Sequence, residues 1–283
     1  MHSLILITPD LVFWVSIVVD MQTISGVRDE GASGLDLRGK TLIVTGASRG
    51  IGRALASELA QNGVNLVLNA RSEALLEEVA NDARGKGVQA LAVVGDAALA
   101  SNALKMVESA VGIGEFVGFI HNAGIAHPGP FLYELPEAKF EDVWRSNVLA
   151  GYQIARFSYP ELRRRKSGLA VFFGSGAAET NIQGIGAYNV SKAGEEHLAR
   201  QLATEAPEIT CFVYRPGAVE TDLQKSAREA KGSGAEVLNR VFGGFQKQGI
   251  LITPEIAARA LVQIMQRDPH RFHGKVATYK DGL

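Results

Sequence analysis

From Thr41 onward, short β-branched apolar runs alternate with longer amphipathic stretches, the pattern of a parallel sheet covered on both faces by helices. Strands are predicted at TLIVT from Thr41, VNLVLN from Val64, VQALAVV from Val88, FVGFIH from Phe116, GLAVFF from Gly168, ITCFVY from Ile209 and KVATY from Lys275. Between them, Gly50 to Asn62, Glu73 to Lys86, Leu99 to Val111, Glu137 to Leu162, Ala187 to Glu205 and Pro254 to Arg267 carry helical periodicity or capping signals. Thr253 followed by Pro254 reads as an N-cap with proline in the first helical position. The expected fold class is therefore α/β, a single doubly wound Rossmann fold with a seven-stranded parallel sheet.

Thr221 to Gly249 fits this alternation worst. Gly232, Gly234, Gly243 and Gly244 are interspersed there with Leu238, Val241, Phe242 and Phe245. Because it follows the carboxyl end of the sixth strand, where ligands bind in such sheets, residues 221–249 are expected to form a movable substrate lid; a peripheral helical pair is the alternative.

The amino-terminal stretch from Leu4 to Val19 is apolar but is interrupted by Pro9 and Asp10 and has no basic leader. It is too short for a membrane span and lacks the charge pattern of a signal peptide. Residues 1–36 are read as an extension, flexible or a weak apolar anchor, with Gly26 to Gly34 as a tether and Met21 as a candidate start. Residues 37–283 are read as the catalytic domain.

The strand-to-helix turn TGASRGIG from Thr45 carries Gly46, Gly50 and Gly52, with Ser48, Arg49 and Ile51 between them. Glycines there let backbone N–H groups approach a pyrophosphate, and the helix that follows turns its positive end toward the same anion. Near the end of the second strand, where NAD sites place a carboxylate for the ribose 2′-hydroxyl, the chain reads Asn69, Ala70, Arg71. The missing acid, with Arg71 and Arg49 able to clamp a 2′-phosphate, favours NADP(H). Asp96, after the third strand, is expected either to accept from the adenine amino group or to cap the next helix.

Tyr188 and Lys192 stand four residues apart, on one face of a helix. An ammonium beside a phenol favours its ionised form, which makes tyrosine useful as an acid or base near neutrality. Taken together, TGASRGIG, HNAG from His121, SNV from Ser146, Ser175, YNVSK from Tyr188 and RPGAVETD from Arg215 resemble the short-chain dehydrogenase/reductase superfamily over about Leu37 to Asp281. Within it, VFFGSGAA from Val171, PGAVETDLQKSARE from Pro216 and the ending HGKVATYKDG are most similar to the sepiapterin and benzil reductase branch of carbonyl reductases.

The resemblance implies NADPH-dependent reduction of a carbonyl. It assigns proton donation to Tyr188, orientation of the carbonyl oxygen to Ser175, support of the tyrosine and the nicotinamide ribose to Lys192, and a structural and proton-relay role to Asn147. It assigns Asn122 to sheet stabilisation, Gly124 to the cofactor cleft, and Pro216, Gly217, Val219 and Thr221 to the nicotinamide carboxamide. The family's usual paired serine is Gly174, Ser175 here. His121 is expected to be a packed core histidine. The first-half motifs suit a 3-oxoacyl-carrier-protein reductase or an alcohol dehydrogenase equally, and a non-catalytic NADP sensor is the alternative of a different class.

Composition removes other classes. With 283 residues, 46% hydrophobic and 21% charged, and a net charge of -1, nothing favours nucleic acid or an anionic membrane as the main partner. The run Arg163, Arg164, Arg165, Lys166 is read as a solvated helix end. Cys211 is the single cysteine, so no intrachain disulfide forms; it is expected to be buried and unreactive, in keeping with a reducing, cytoplasmic location. No His/Cys cluster has zinc spacing, and no metal is expected. Phe131, Tyr133, Phe242 and Phe245 suggest an apolar or aromatic small-molecule substrate, and the resemblance implies a homodimer or homotetramer.

Overall fold

The structure, a computed structural model, describes residues 34–283; the expectations for the amino-terminal extension fall almost wholly outside the described residues. Seven strands form one parallel sheet: β1 (Lys40–Thr45), β2 (Asn65–Ala70), β3 (Ala90–Val94), β4 (Glu115–His121), β5 (Gly168–Phe173), β6 (Ile209–Arg215) and β7 (Val276–Thr278), in the order β3-β2-β1-β4-β5-β6-β7. Strand order reverses between β1 and β4, so a crevice opens at their carboxyl ends, where such sheets bind ligands.

Both faces of the sheet are covered. Along β1, Leu42 and Val44 pack on one side with α1 (Gly50–Gln61), α2 (Glu73–Arg84) and α9 (Pro254–Arg267). Ile43 points to the other, against α3 (Ala100–Ile113), α5 (Ala150–Arg164) and α6 (Gly186–Glu205). The near-continuous burial of β1, β2 and β5 is what a strand covered on two faces requires, and it explains why these runs do not alternate in polarity. Thr253 caps α9 through Ile256 N at 3.4 Å, with Pro254 in the first turn, as its sequence predicts.

Two elements differ from the sequence reading. The long helix expected from Glu137 to Leu162 is α4 (Glu137–Trp144), a π-helical turn (Arg145–Leu149) and α5. That turn holds Asn147, whose amide Nδ2 donates to Ile125 O at 3.0 Å while its Oδ1 accepts from Ile125 N at 2.8 Å. Helical wheels assume constant pitch, so a bulge serving a tertiary contact leaves no periodic trace. The seventh strand is only three residues long.

The three arginines of the basic run at the end of α5 are paired: Arg163 with Glu208 at 2.9 Å, Arg164 with Glu161, and Arg165 with Glu115. Cys211 is buried, its Sγ 3.3 Å from Ala199 O, and burial pushes its thiol up to about 12. Among the described residues no helix is long and apolar enough to cross a membrane, and no cluster of His, Cys, Asp or Glu could hold a metal.

Candidate active site

The crevice at the β1/β4 switch point is a cavity of about 1360 Å³, large enough for a dinucleotide with a small substrate beside it. Its wall carries Gly46, Ser48, Arg49, Gly50 and Ile51 from the β1–α1 turn. Gly46 has φ +65°, and a Cβ there would lie 2.7 Å from Ala123 Cα. Only glycine lets the turn pass this close to the end of β4. Gly52 faces inward instead, against the carbonyl of Gly46, and does not line the cavity. No side chain caps the first turn of α1, so its N–H groups are open to an anion in the cavity.

Asn122 ties the two central strands together, with Nδ2 donating to Thr45 O and Gly46 O, both at 3.1 Å. Arg71 lines the cavity at the end of β2 and has no salt-bridge partner among the described residues. Arg49 faces Asp222 at 3.2 Å across the mouth, both side chains being more than half exposed. Asp96 also lines the cavity, but it is not the helix cap that was one of its two expected roles: Leu99 occupies the cap position of α3. Its Oδ1 accepts from Ala98 N and its Oδ2 from Arg145 Nε, each at 2.8 Å.

Tyr188 and Lys192 reach the same cavity from α6, and Ser175 reaches it from a short 3-10 turn (Gly176–Ala178) after β5. Lys192 Nζ lies 5.7 Å from the centroid of the Tyr188 ring. The ammonium is buried and donates to Phe173 O and to Glu195 Oε2, each at 2.6 Å. Burial alone would lower its pKa, but Glu195 and Tyr188 more than offset this, and the ammonium is held above the ordinary lysine range. Gly124 faces this lysine across the cleft.

Asn147 is fully buried and does not line the cavity; besides binding Ile125 it donates to Ser191 Oγ at 2.8 Å. Its carbonyl receives His121 Nε2 at 3.1 Å. His121 Nδ1 meets Thr45 Oγ1 at 3.0 Å, and that hydroxyl already accepts from Asn122 N and Ala123 N. Thr45 therefore gives its only proton to Nδ1, leaving the histidine neutral with its proton on Nε2. Burial pushes its pKa down to about 3, with Lys192 assisting. It is a core histidine, as its sequence context suggests.

Two carboxylates that sequence reading missed stand behind these groups. Glu195 is buried beside Lys192, and Glu196 is buried with its Oε1 accepting from Ser175 N at 3.2 Å and from Arg215 Nε at 2.8 Å. Arg215 also reaches Glu179 at 2.7 Å. The departure Gly174 follows from this arrangement: a Cβ at that position would lie 2.3 Å from Val213 Cγ1 and 2.4 Å from Glu196 Oε1. The signal was present in the sequence, since residues 188, 191, 192 and 195 share one helix face, so an acid at 195 had to face the core.

Pro216, Gly217, Val219 and Thr221 all line the cavity after β6. Thr221 additionally caps α7 (Asp222–Arg228), its Oγ1 accepting from Gln224 N at 3.4 Å. Residues 221–249 form α7 and α8 (Ala235–Lys247), whose Phe242 and Phe245 face the cavity. The base of this pair is tied down, with Gly234 N donating to Gly129 O at 2.8 Å and Gly129 N donating to Gly184 O at 2.7 Å. Phe131 and Tyr133, expected with the other two aromatics, stack on each other instead and are not part of the wall.

Residues 40–232 match the family model described as short chain dehydrogenase. An oxidoreductase of Saccharomyces cerevisiae is 30% identical over 250 residues, 86% of this chain and 96% of its own length. The 3-oxoacyl-[acyl-carrier-protein] reductase FabG of Escherichia coli is 28% identical over 221 residues, 75% of this chain and 88% of its own. Among solved structures, the KRED1-Pglu enzyme superposes with a TM-score of 0.75 at 28% identity, covering 84% of this chain and all of its own. The crystal structure of the same yeast protein gives 0.77 at 27% identity, covering 86% and 97%. With the motifs converging on one crevice and the family model spanning most of the domain, this chain belongs to the short-chain dehydrogenase family of oxidoreductases.

Proposed function

We propose that the protein is an NADPH-dependent carbonyl reductase acting on apolar, aromatic ketones or diketones. The observation that carries this reading is that Tyr188, Lys192 and Ser175 line the same cavity as the uncapped first turn of α1 and the side chain of Arg71. The glycine turn and the helix start fit a pyrophosphate. Arg71, assisted by Arg49, fits a 2′-phosphate in the place where a carboxylate would select NAD. Ser48, Gly50 and Ile51 would hold the dinucleotide with them, together with Asp96, Asn122, Gly124 and the segment from Pro216 to Thr221.

When bound, the nicotinamide supplies a hydride to the substrate carbon. The chain supplies the rest. Tyr188 gives its phenolic proton to the carbonyl oxygen as negative charge develops there, and Ser175 donates a hydrogen bond that orients the same oxygen. Lys192 opposes the negative charge left on Tyr188 and offers an N–H to the cofactor's ribose. Asn147 acts by holding the loop at Ile125 and the α6 residue Ser191 in place behind the cavity wall, its main-chain carbonyl being engaged by His121. The α7–α8 pair would close as a lid and exclude water during the transfer.

Phe242, Phe245, Ile182 and Ile185 make the substrate side of the cavity apolar, which supports a neutral ketone. The similarity to FabG favours a second reading, reduction of a 3-oxoacyl thioester. Exposed Trp144, Tyr152 and Val190 on α4, α5 and α6 support a homodimer or homotetramer, and the buried single cysteine supports a cytoplasmic location. The test is cofactor oxidation, followed by nicotinamide absorbance, with NADPH and NADH against aromatic ketones, diketones, quinones and 3-oxoacyl thioesters. Turnover with NADPH on the aromatic carbonyls is expected. Turnover confined to NADH, or to the thioesters, would contradict the assignment.

A further inference from the structure

Lys192 in this chain has a partner that the motif around it does not call for. The ammonium carries three N–H donors. Two are spent inside the protein, on the Phe173 carbonyl and on Glu195 Oε2, each at 2.6 Å, which leaves one for the cavity that Lys192 lines. Glu195 is itself fully buried, one turn further along α6, on the same face as Tyr188, Ser191 and Lys192. Its other oxygen, Oε1, has no hydrogen-bond partner. The nearest cation-capable group facing it is His121 Nε2 of β4 at 3.9 Å, and that N–H is already given to Asn147 O. Glu196 adds negative charge from α6 but is engaged by Arg215 and Ser175. Phe173, the contact from β5, carries no charge.

A carboxylate with one orphaned oxygen in an apolar interior is costly, and a fold that needed only packing at this position would carry a leucine or alanine there. What the carboxylate supplies is a counter-charge and a fixed direction for the ammonium. We propose that Glu195 is a positioning residue for the reductase chemistry: it keeps Lys192 charged inside the protein and aims its remaining N–H into the cavity. This rests on the reading of Lys192 as the partner of Tyr188. Of the other groups that face the pair, Tyr188 and Glu196 from α6 reinforce the ammonium, and His121 from β4 is neutral. Burial pushes the Glu195 carboxyl up, to about 7, while Lys192 pulls it back.

The experiment uses the full chain without cofactor, labelled with 13C at lysine Cε, with the Lys192 resonance assigned by its loss in Lys192→Arg. In the wild type the Lys192 signal should stay in its ammonium position through the ordinary lysine pKa of 10.5. In Glu195→Gln, which keeps the shape and removes the charge, the titration should move to lower pH by about one unit or more. The alkaline limb of kcat, measured with NADPH, should move with it. Glu195→Asp should restore part of the shift. Titration of Lys192 in Glu195→Gln at the wild-type pH would overturn the proposal. Should Glu195→Gln fail to fold, the wild-type titration decides: loss of the Lys192 proton below 10.5 would overturn it as well. A failure of the functional reading is seen separately, as full turnover in Tyr188→Phe, while the effect of Glu195→Gln on the Lys192 resonance is read with Tyr188 intact, because Tyr188 itself supports the ammonium.

Discussion

Gly174 separates what family resemblance predicts from what the geometry predicts. A serine is the family's usual residue at this position, so resemblance alone makes Gly174→Ser harmless. In this fold the added Cβ would sit 2.3 Å from Val213 Cγ1 and 2.4 Å from Glu196 Oε1, against a buried strand and a buried carboxylate. Relieving overpacking of this kind costs about 1–3 kcal/mol. Moving Glu196 loosens its bonds to Ser175 N and Arg215, charge-assisted contacts worth about 1.5–3 kcal/mol each when lost. A destabilisation of about 3 kcal/mol or more follows, which in a domain of this size lowers Tm by about 6–12 °C. Because Glu196 anchors the backbone of Ser175, kcat/KM should also fall by about tenfold or more. Gly176→Ser is the internal control for thermal stability, since a Cβ at Gly176 meets nothing within 4 Å. The assays are thermal unfolding by circular dichroism and reductase kinetics on the same preparations. A Gly174→Ser protein with wild-type Tm and kcat/KM would refute the packing argument.

Two further predictions concern the cofactor and acid stability. Arg71→Ala should weaken NADPH binding by about 10-fold to 100-fold, the equivalent of losing a charge-assisted bond to the 2′-phosphate, while changing NADH binding by less than about threefold; equal losses in a fluorescence titration would sink the NADP(H) assignment. His121, held neutral by burial down to about 3, must take up a proton on unfolding below the free histidine pKa of 6.5. Since the unfolded state then binds one more proton, stability falls as pH drops from 6.5 toward 3, by about 4–5 kcal/mol in all from this residue. His121→Gln should be less stable at neutral pH but lose stability less steeply on acidification in urea titrations. The same slope in both proteins would refute the neutral, buried assignment.

Most of the sheet was legible from sequence because its strands are covered on both faces and read as unbroken apolar runs between turn residues. The glycine turn and the Tyr188/Lys192 pair were legible because their spacing is local, each within one turn or one helix, whereas Ser175, thirteen positions before Tyr188, was legible only through the family resemblance. The features that escaped depend on contacts between distant segments. The π-helical turn at Arg145–Leu149 exists to bring Asn147 to Ile125. Glu196 matters because β5, β6 and α6 converge on it, and Gly174 is a glycine because of that carboxylate. Phe131 and Phe245 look alike in sequence, yet only the second faces the cavity. Asp96 offered two readings, and the salt bridge with Arg145, 49 residues along the chain, belongs to neither.

The most direct test of the proposed reductase chemistry is Tyr188→Phe, which removes one oxygen from the half-buried phenol that lines the cavity. Turnover and NADPH affinity should be measured side by side on the folded protein. Loss of the proton donor predicts a fall in kcat of about 10²–10⁴-fold with NADPH binding within about threefold of wild type. Turnover that survives the substitution with NADPH binding unchanged would contradict the assignment of Tyr188 as the acid.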